Sequence, residues 1–172
     1  MDIRLAVASR REVRLYAPEP LPDEVVTRIL DAGRLTGSAQ NRQPWQFLVL
    51  EPGERIERLA GAVFAPSNVL GAALVVAVTV RGKGPTTFDA GRAVQNMLLQ
   101  AWSEGVGSSP NGIADMDAAR AALDLVDEEE KLVIVLSFGW PARPRDPSSR
   151  TADEWSARAK RRPLGETVRW LS

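Results

Sequence analysis

AALVVAVTV, residues 72–80, is the longest apolar run in the chain. It is far shorter than the roughly 20 residues of a membrane-crossing helix. Its length and valine content predict a strand over 73–80 buried on both faces, so both faces need cover. Working outward, Leu132–Phe138 (LVIVLSF) reads as another buried strand and Phe47–Leu50 as a further one. The cover is helical. In residues 54–64 (ERIERLAGAVF), Ile56, Leu59, Ala60, Val63 and Phe64 fall on one helical stripe. A long helix is predicted over 88–104, with Ala90, Ala93, Val94, Met97, Leu98, Ala101 and Trp102 over much of its circumference. Val25, Val26, Ile29 and Leu30 mark a helix opened by Pro22, and Ile3, Ala6 and Val7 a short one capped by Asp2. Asp115 caps another, and Thr151 with Glu154 makes a capping box. GVGSSPNG, 105–112, reads as a loop of small residues. Few strands with many helices give a mixed α/β fold with helices on both sheet faces.

The chain has 172 residues, 44% hydrophobic and 26% charged, as expected of one domain with its own core. It has no cysteine and no histidine, which excludes disulfides, thiolate chemistry, zinc clusters and histidine acid–base work; no metal site is expected. Any chemistry then comes from a bound group. The N-terminus lacks the plan of a signal peptide, so a cytoplasmic protein with no membrane partner is expected. Twenty-two basic and 22 acidic side chains cancel, which gives no reason to expect nucleic acid. The cations are unevenly placed. Residues 139–172 carry eight against four acids, and Arg10, Arg11 and Arg14 cluster near the other end. Each cluster alone is compatible with solvated surface or with a phosphate, which guanidinium groups grip with planar forks.

Three further stretches suggest a site. GSAQNRQPWQF, residues 37–47, places polar and small residues before a Pro-Trp pair at the mouth of a strand. SSPNGI, 108–113, lets a flat ligand approach the backbone. AKRRP, 159–163, puts cations at a helix end.

In order, RRxVRxY, a helix, SxxNxQPWxF, a strand, DAGRAVQNMLLQAWSEGVG, SFGWP and a closing KxRRPL with ETVxW resemble the nitroreductase family of FMN enzymes, from about Ser9 to Trp170. The resemblance implies an α+β fold: a three-layer sandwich whose mostly antiparallel sheet is flanked by helices, in a domain-exchanged homodimer. It implies one domain over 1–172, with 151–172 as a C-terminal arm packing on the partner subunit. It implies FMN as cofactor, NAD(P)H as reductant and an electron-poor acceptor, nitroaromatic or quinone-like, in a ping-pong sequence. A flavin-binding protein with another redox task, or a storage or sensing role without NAD(P)H turnover, is the alternative; a colourless dimeric scaffold binding another anion is a third reading.

Carried over residue by residue, Arg10 and Arg11 resemble the phosphate-side residues, with Lys160 and Arg162 on the same phosphate. Arg14 resembles the cation at the pyrimidine edge, where negative charge develops. Ser38 and Asn41 would reach the ring from the partner, with Gln43, Pro44 and Trp45 shaping the turn. Asn68 resembles a further flavin contact, and Asn111 and Gly112 the pair whose backbone N–H approaches flavin N5. The chain departs from the pattern at Glu12, where the family has a small hydroxyl residue, and at Gly37, where proline is frequent. Glu12 is expected to pair with a neighbouring arginine or turn outward.

Overall fold

A computed structural model describes residues 1–171. The chain divides into two compact units, 11–145 and a terminal unit formed by 1–10 with 146–172.

The larger unit is built on four strands, β1 (Trp45–Leu50), β2 (Leu74–Val80), β3 (Gly107–Asn111) and β4 (Lys131–Gly139). They lie in the order β1-β2-β4-β3, every pair antiparallel. Every residue of β2 is buried, as its apolar sequence predicts. Its side chains alternate. Leu74, Val76, Val78 and Val80 enter one cluster with Leu136 and Phe138, and Val75 and Ala77 enter the other with Leu132 and Val135. The parity change between Leu132 and Leu136 has a local cause. Val78 pairs with Ile134 but Thr79 with Leu132, so β4 bulges by one residue at Val133.

Helices α2 (Asp23–Arg34) and α5 (Thr86–Ser103) cover the first face; α3 (Glu54–Gly61), α4 (Pro66–Leu70) and α6 (Met116–Ala122) cover the second. This is an α+β three-layer sandwich. Full burial of Ile29, Met97 or Phe138 contributes about 1.5–3 kcal/mol each. Gly33 lets α2 and α5 close on each other, since a Cβ there would stand 2.7 Å from the Phe47 ring and 2.9 Å from Met97.

Two segments depart from the sequence reading. The 54–64 helix stops at Gly61, and Phe64 is 77% exposed. Pro66 disfavours helical backbone at Ala65, and Val63 leaves the helix to bridge Ile113. Pro66 then opens α4, which the stripe had not revealed. Secondly, 107–111 is an edge strand rather than a loop. Ser-Ser-Pro lacks apolar alternation, and proline argues against a strand. At an edge the objection lapses. The Ser108 carbonyl faces away from β4 to accept from Val13 N–H (3.0 Å), and Pro110, two residues on, turns its missing donor the same way.

In the terminal unit, α1 (Ile3–Ser9) packs against α7 (Ala152–Arg158), and α8 (Leu164–Thr167) follows. Asp2 caps α1, accepting from Leu5 N–H at 3.1 Å, and Thr151 with Glu154 forms the capping box of α7. Arg4 pairs with Asp153 across the two helices. Trp155 donates to the Pro147 carbonyl at 2.8 Å, with the Arg150 guanidinium 4.9 Å from its ring centre. Among the described residues no helix is long and apolar enough to cross a membrane.

Candidate functional site

Asn68 and Asn111 come from separate elements, α4 and the end of β3, and both are buried. A buried amide must satisfy its donors and acceptor inside the protein. Asn68 Nδ2 donates to Asn111 Oδ1 at 2.9 Å. Asn111 Nδ2 donates to the Ser109 carbonyl (3.1 Å), Ser137 Oγ (3.1 Å) and the Val135 carbonyl (3.3 Å). Ser137 Oγ meets the Tyr16 hydroxyl at 2.9 Å, and Tyr16 donates to the Val13 carbonyl at 2.7 Å. One polar chain therefore runs from α4 through β3 and β4 to the segment that carries Arg14.

Gly112 follows Asn111 and is exposed. Its carbonyl accepts from Phe64 N–H at 3.1 Å, whereas its own N–H donates to no backbone carbonyl among the described residues. A Cβ at Gly112 would lie 3.2 Å from Phe64 Cδ2. The hydrogen bonds of the Asn111 side chain thus hold the backbone that leads into Gly112.

Arg11 is half-buried and Arg14 exposed. Their segment is extended along the free edge of β3, held by Val13 N–H to the Ser108 carbonyl, Ala17 N–H to the Trp140 carbonyl (2.8 Å) and Ala142 N–H to the Leu15 carbonyl (3.0 Å). Glu12 is half-buried. Burial pushes the Tyr16 phenol up to about 12; the Ser137 hydrogen bond opposes this, the Glu12 carboxylate adds to it and Arg14 subtracts. The folded value lies above the ordinary 10, so the neutral phenol's stabilisation is complete below pH ~10 and is lost as pH rises towards 12. Tyr16 is the sole tyrosine. An alkaline absorbance titration of the folded chain should therefore show tyrosinate emerging near pH 12, and near 10 after unfolding; emergence near 10 in both states would contradict the buried network.

Ser38 and Asn41 lie in a tight turn of unusual backbone. Gln40, Asn41 and Gln43 all have left-handed φ, at 53°, 54° and 48°. Such conformations cost roughly 1–3 kcal/mol each in non-glycine residues and persist where neighbours enforce them. Here Ser38 Oγ accepts from Gln43 N–H at 2.8 Å, and the buried Asp89 carboxylate accepts from Ala39 N–H at 2.9 Å. Ser38 is thus a pin of the turn as well as a polar face, and Asn41 is exposed at its tip. The sequence did not single out Asp89; its place in the first turn of α5 was the available signal. The turn also walls a cleft of about 680 Å³ lined by Arg42, Pro44, Trp45, Arg81 and Lys83. That cleft includes none of Asn68, Asn111 or Gly112, and its Arg81 is held by Asp127 and Glu130.

In the terminal unit, Arg10 closes α1, while Lys160 follows α7 in a left-handed conformation (φ 51°) with Arg162 two residues on, exposed. Cations from opposite ends of the sequence therefore belong to a single packed unit.

The Nitroreductase family model matches residues 7–85 and 82–140. A protein of Archaeoglobus fulgidus named as a candidate NADH dehydrogenase/NAD(P)H nitroreductase is 32% identical over 150 residues, 81% of this chain and 86% of that one. A 5,6-dimethylbenzimidazole synthase of Rhodospirillum rubrum is 28% identical over 168 residues, covering 77% and 78%. A candidate nitroreductase of Desulfovibrio desulfuricans, solved in complex with FMN, superposes with a TM-score of 0.81 at 28% identity over 100% of this chain and 98% of that one.

Proposed function

The chain belongs to the nitroreductase family, and from that premise we propose that it is an FMN-dependent oxidoreductase that takes reducing equivalents from NAD(P)H and passes them to an electron-poor acceptor in ping-pong fashion. The observation that carries the reading is the Gly112 N–H, fixed by a buried amide and left without a backbone acceptor. Each unit offers groups of a kind that a flavin would use. In the larger unit, Gly112 offers an exposed N–H, held from within by the buried Asn68 and Asn111, and Arg14 an exposed cation. In the terminal unit, Arg10, Lys160 and Arg162 have the planar or point charges suited to a phosphate. Arg11 would join the phosphate side.

When bound, FMN supplies the hydride-accepting and electron-donating chemistry that a chain without histidine or cysteine lacks. The protein's part is positional. Asn68 orients Asn111, Asn111 holds the backbone that leads into Gly112, and the Gly112 N–H would be the donor available to the ring. Arg14 would supply positive charge to the reduced ring, and a cation and dipole set in advance would lower the barrier. The strained turn at Ser38 and Asn41 would lie against the ring of a second copy. A homodimer is supported by exposed apolar residues at the chain ends, Ile3, Leu164, Trp170 and Leu171, each at least 76% exposed. The arm 151–172 would then pack on the partner.

The experiment is the visible spectrum of the purified chain before and after NADH or NADPH. Flavin bands that bleach support the oxidoreductase. The similar synthase from Rhodospirillum rubrum, named for another task, favours one second reading: a yellow chain that NAD(P)H never bleaches would serve a different redox role or hold FMN for storage or sensing.

A further inference from the structure

Arg14 owes its place to its neighbours. Its exposed guanidinium enters no ion pair among the described residues, so the backbone that carries it decides where the charge stands. That backbone rests on a gap in the sheet. Gly107 of β3 and Gly139 of β4 lie directly opposite each other. A Cβ on Gly107 would stand 2.7 Å from Val13 Cβ, and one on Gly139 would stand 3.0 Å from Tyr16 Cβ and from its ring. The paired glycines therefore leave one seat for the Val13 side chain and one for the Tyr16 ring, before and after Arg14 in sequence. The Tyr16 hydroxyl closes the arrangement. It donates to the Val13 carbonyl at 2.7 Å, so a side-chain bond spans Arg14 and Leu15. It also meets Ser137 Oγ at 2.9 Å, and Ser137 Oγ accepts from Asn111 Nδ2 at 3.1 Å. One hydroxyl thus joins the backbone that carries the cation to the side chain that precedes Gly112.

We infer that Tyr16 is a positioning residue: its hydroxyl holds the Arg14 segment in register with Asn111 and Gly112, and through Arg14 it sets how far the reduced flavin is stabilised over the oxidised one. The inference deepens the reading of the site as an FMN site and rests on it. A cation stabilises developing charge most when it need not rearrange as the charge appears. Phenylalanine at position 16 keeps the ring in its seat and removes only the hydroxyl. The Val13 carbonyl, on a residue 7% exposed, then loses its donor. The segment through Arg14 is open at one end, and part of the cation's field is lost to motion. Because the hydroxyl acts through the cation, its effect on the flavin disappears when the cation is absent. General support of the fold would act with or without Arg14, so the coupling between the two residues separates the two roles.

The test is the midpoint potential of the bound flavin, measured by anaerobic reduction of the FMN-loaded chain against a reference dye, with neither NAD(P)H nor acceptor present. Wild type, Tyr16→Phe, Arg14→Gln and the double variant form one cycle. Tyr16→Phe should lower the preference for reduced over oxidised flavin roughly threefold to tenfold, a fall of about 15–30 mV for a two-electron couple. In the Arg14→Gln background the same change should matter less than about twofold, or ~9 mV. Gly139→Ala presses on the Tyr16 ring from 3.0 Å and adds no polar group. It should lower the potential in the same direction, again only with Arg14 present, and it decides the question by itself where Tyr16→Phe does not fold. An unchanged potential in Tyr16→Phe, or an equal fall with and without Arg14, overturns the inference while leaving the FMN reading intact. A wild-type chain that takes up no FMN overturns that reading and the inference with it.

Discussion

The double substitution Arg10→Glu with Arg162→Glu is expected to lower FMN affinity at least ~100-fold. Each arginine would supply a charge-assisted hydrogen bond worth about 1.5–3 kcal/mol, and reversing the charge adds repulsion against a dianionic phosphate. Folding should survive, because neither residue belongs to the two buried clusters of the sheet unit. The pair is the informative choice because it takes one residue from each end of the sequence. Arg10 closes α1 and Arg162 lies beyond α7, and those helices pack together, tied by Arg4 and Asp153. The companion Arg10→Lys with Arg162→Lys keeps the charge but loses the planar forks, and should fall between. The measurement is FMN dissociation by fluorescence, with the thermal midpoint as a folding control. A Glu variant that keeps its FMN affinity would remove the phosphate assignment.

The largest expected effect on stability is Asn111→Leu. The side chains are close in size, so the loss is polar. Leucine strips Asn68 of its acceptor, and removes the donor from the Ser109 and Val135 carbonyls and from Ser137 Oγ, all within the protein. A buried polar group left unsatisfied costs about 1–3 kcal/mol. Asn68 Nδ2 loses its acceptor, whereas Ser137 Oγ keeps its bonds to the Ser109 carbonyl and the Tyr16 hydroxyl; with four bonds lost, a total near 3 kcal/mol is expected, or a fall of roughly 6–12 °C in Tm for a chain of this size. Asn68→Ala removes one bond of this set and should cost about a third as much. A loss below about 1 kcal/mol for Asn111→Leu, by denaturant melts, would mean that water or relaxed side chains replace the network.

The same residue shows where sequence reading succeeds and where it stops. Strands β2 and β4 were legible because burial on both faces leaves continuous apolar runs, and α5 because its apolar residues cover so much of its surface. Caps were legible because Asp2, Asp115 and Thr151 act through neighbours a few residues away. Strand β3 was not. Its membership of the sheet depends on partners elsewhere in the chain, Val13 and β4, and its own residues carry no alternation. Phe64 was misplaced for a related reason: periodicity continued past the point where Pro66 and the Ile113 bridge take the chain away. The positions of Asn111 and Gly112 as a pair were visible through resemblance. The amide chain through Asn68, Ser137 and Tyr16 was not, since its members lie as far as 121 positions apart. Nor was the pinning of the Ser38 turn by Asp89, a contact spanning 50 positions.

That this chain holds a flavin and reduces it with NAD(P)H is tested by an anaerobic titration of the FMN-loaded protein with NADH and, separately, NADPH, followed in the visible. The expected result is flavin bound in stoichiometric amount and bleached fully by a stoichiometric addition of at least one of the two nucleotides. A protein that remains colourless after incubation with FMN, or one whose flavin bands neither nucleotide diminishes, would contradict it.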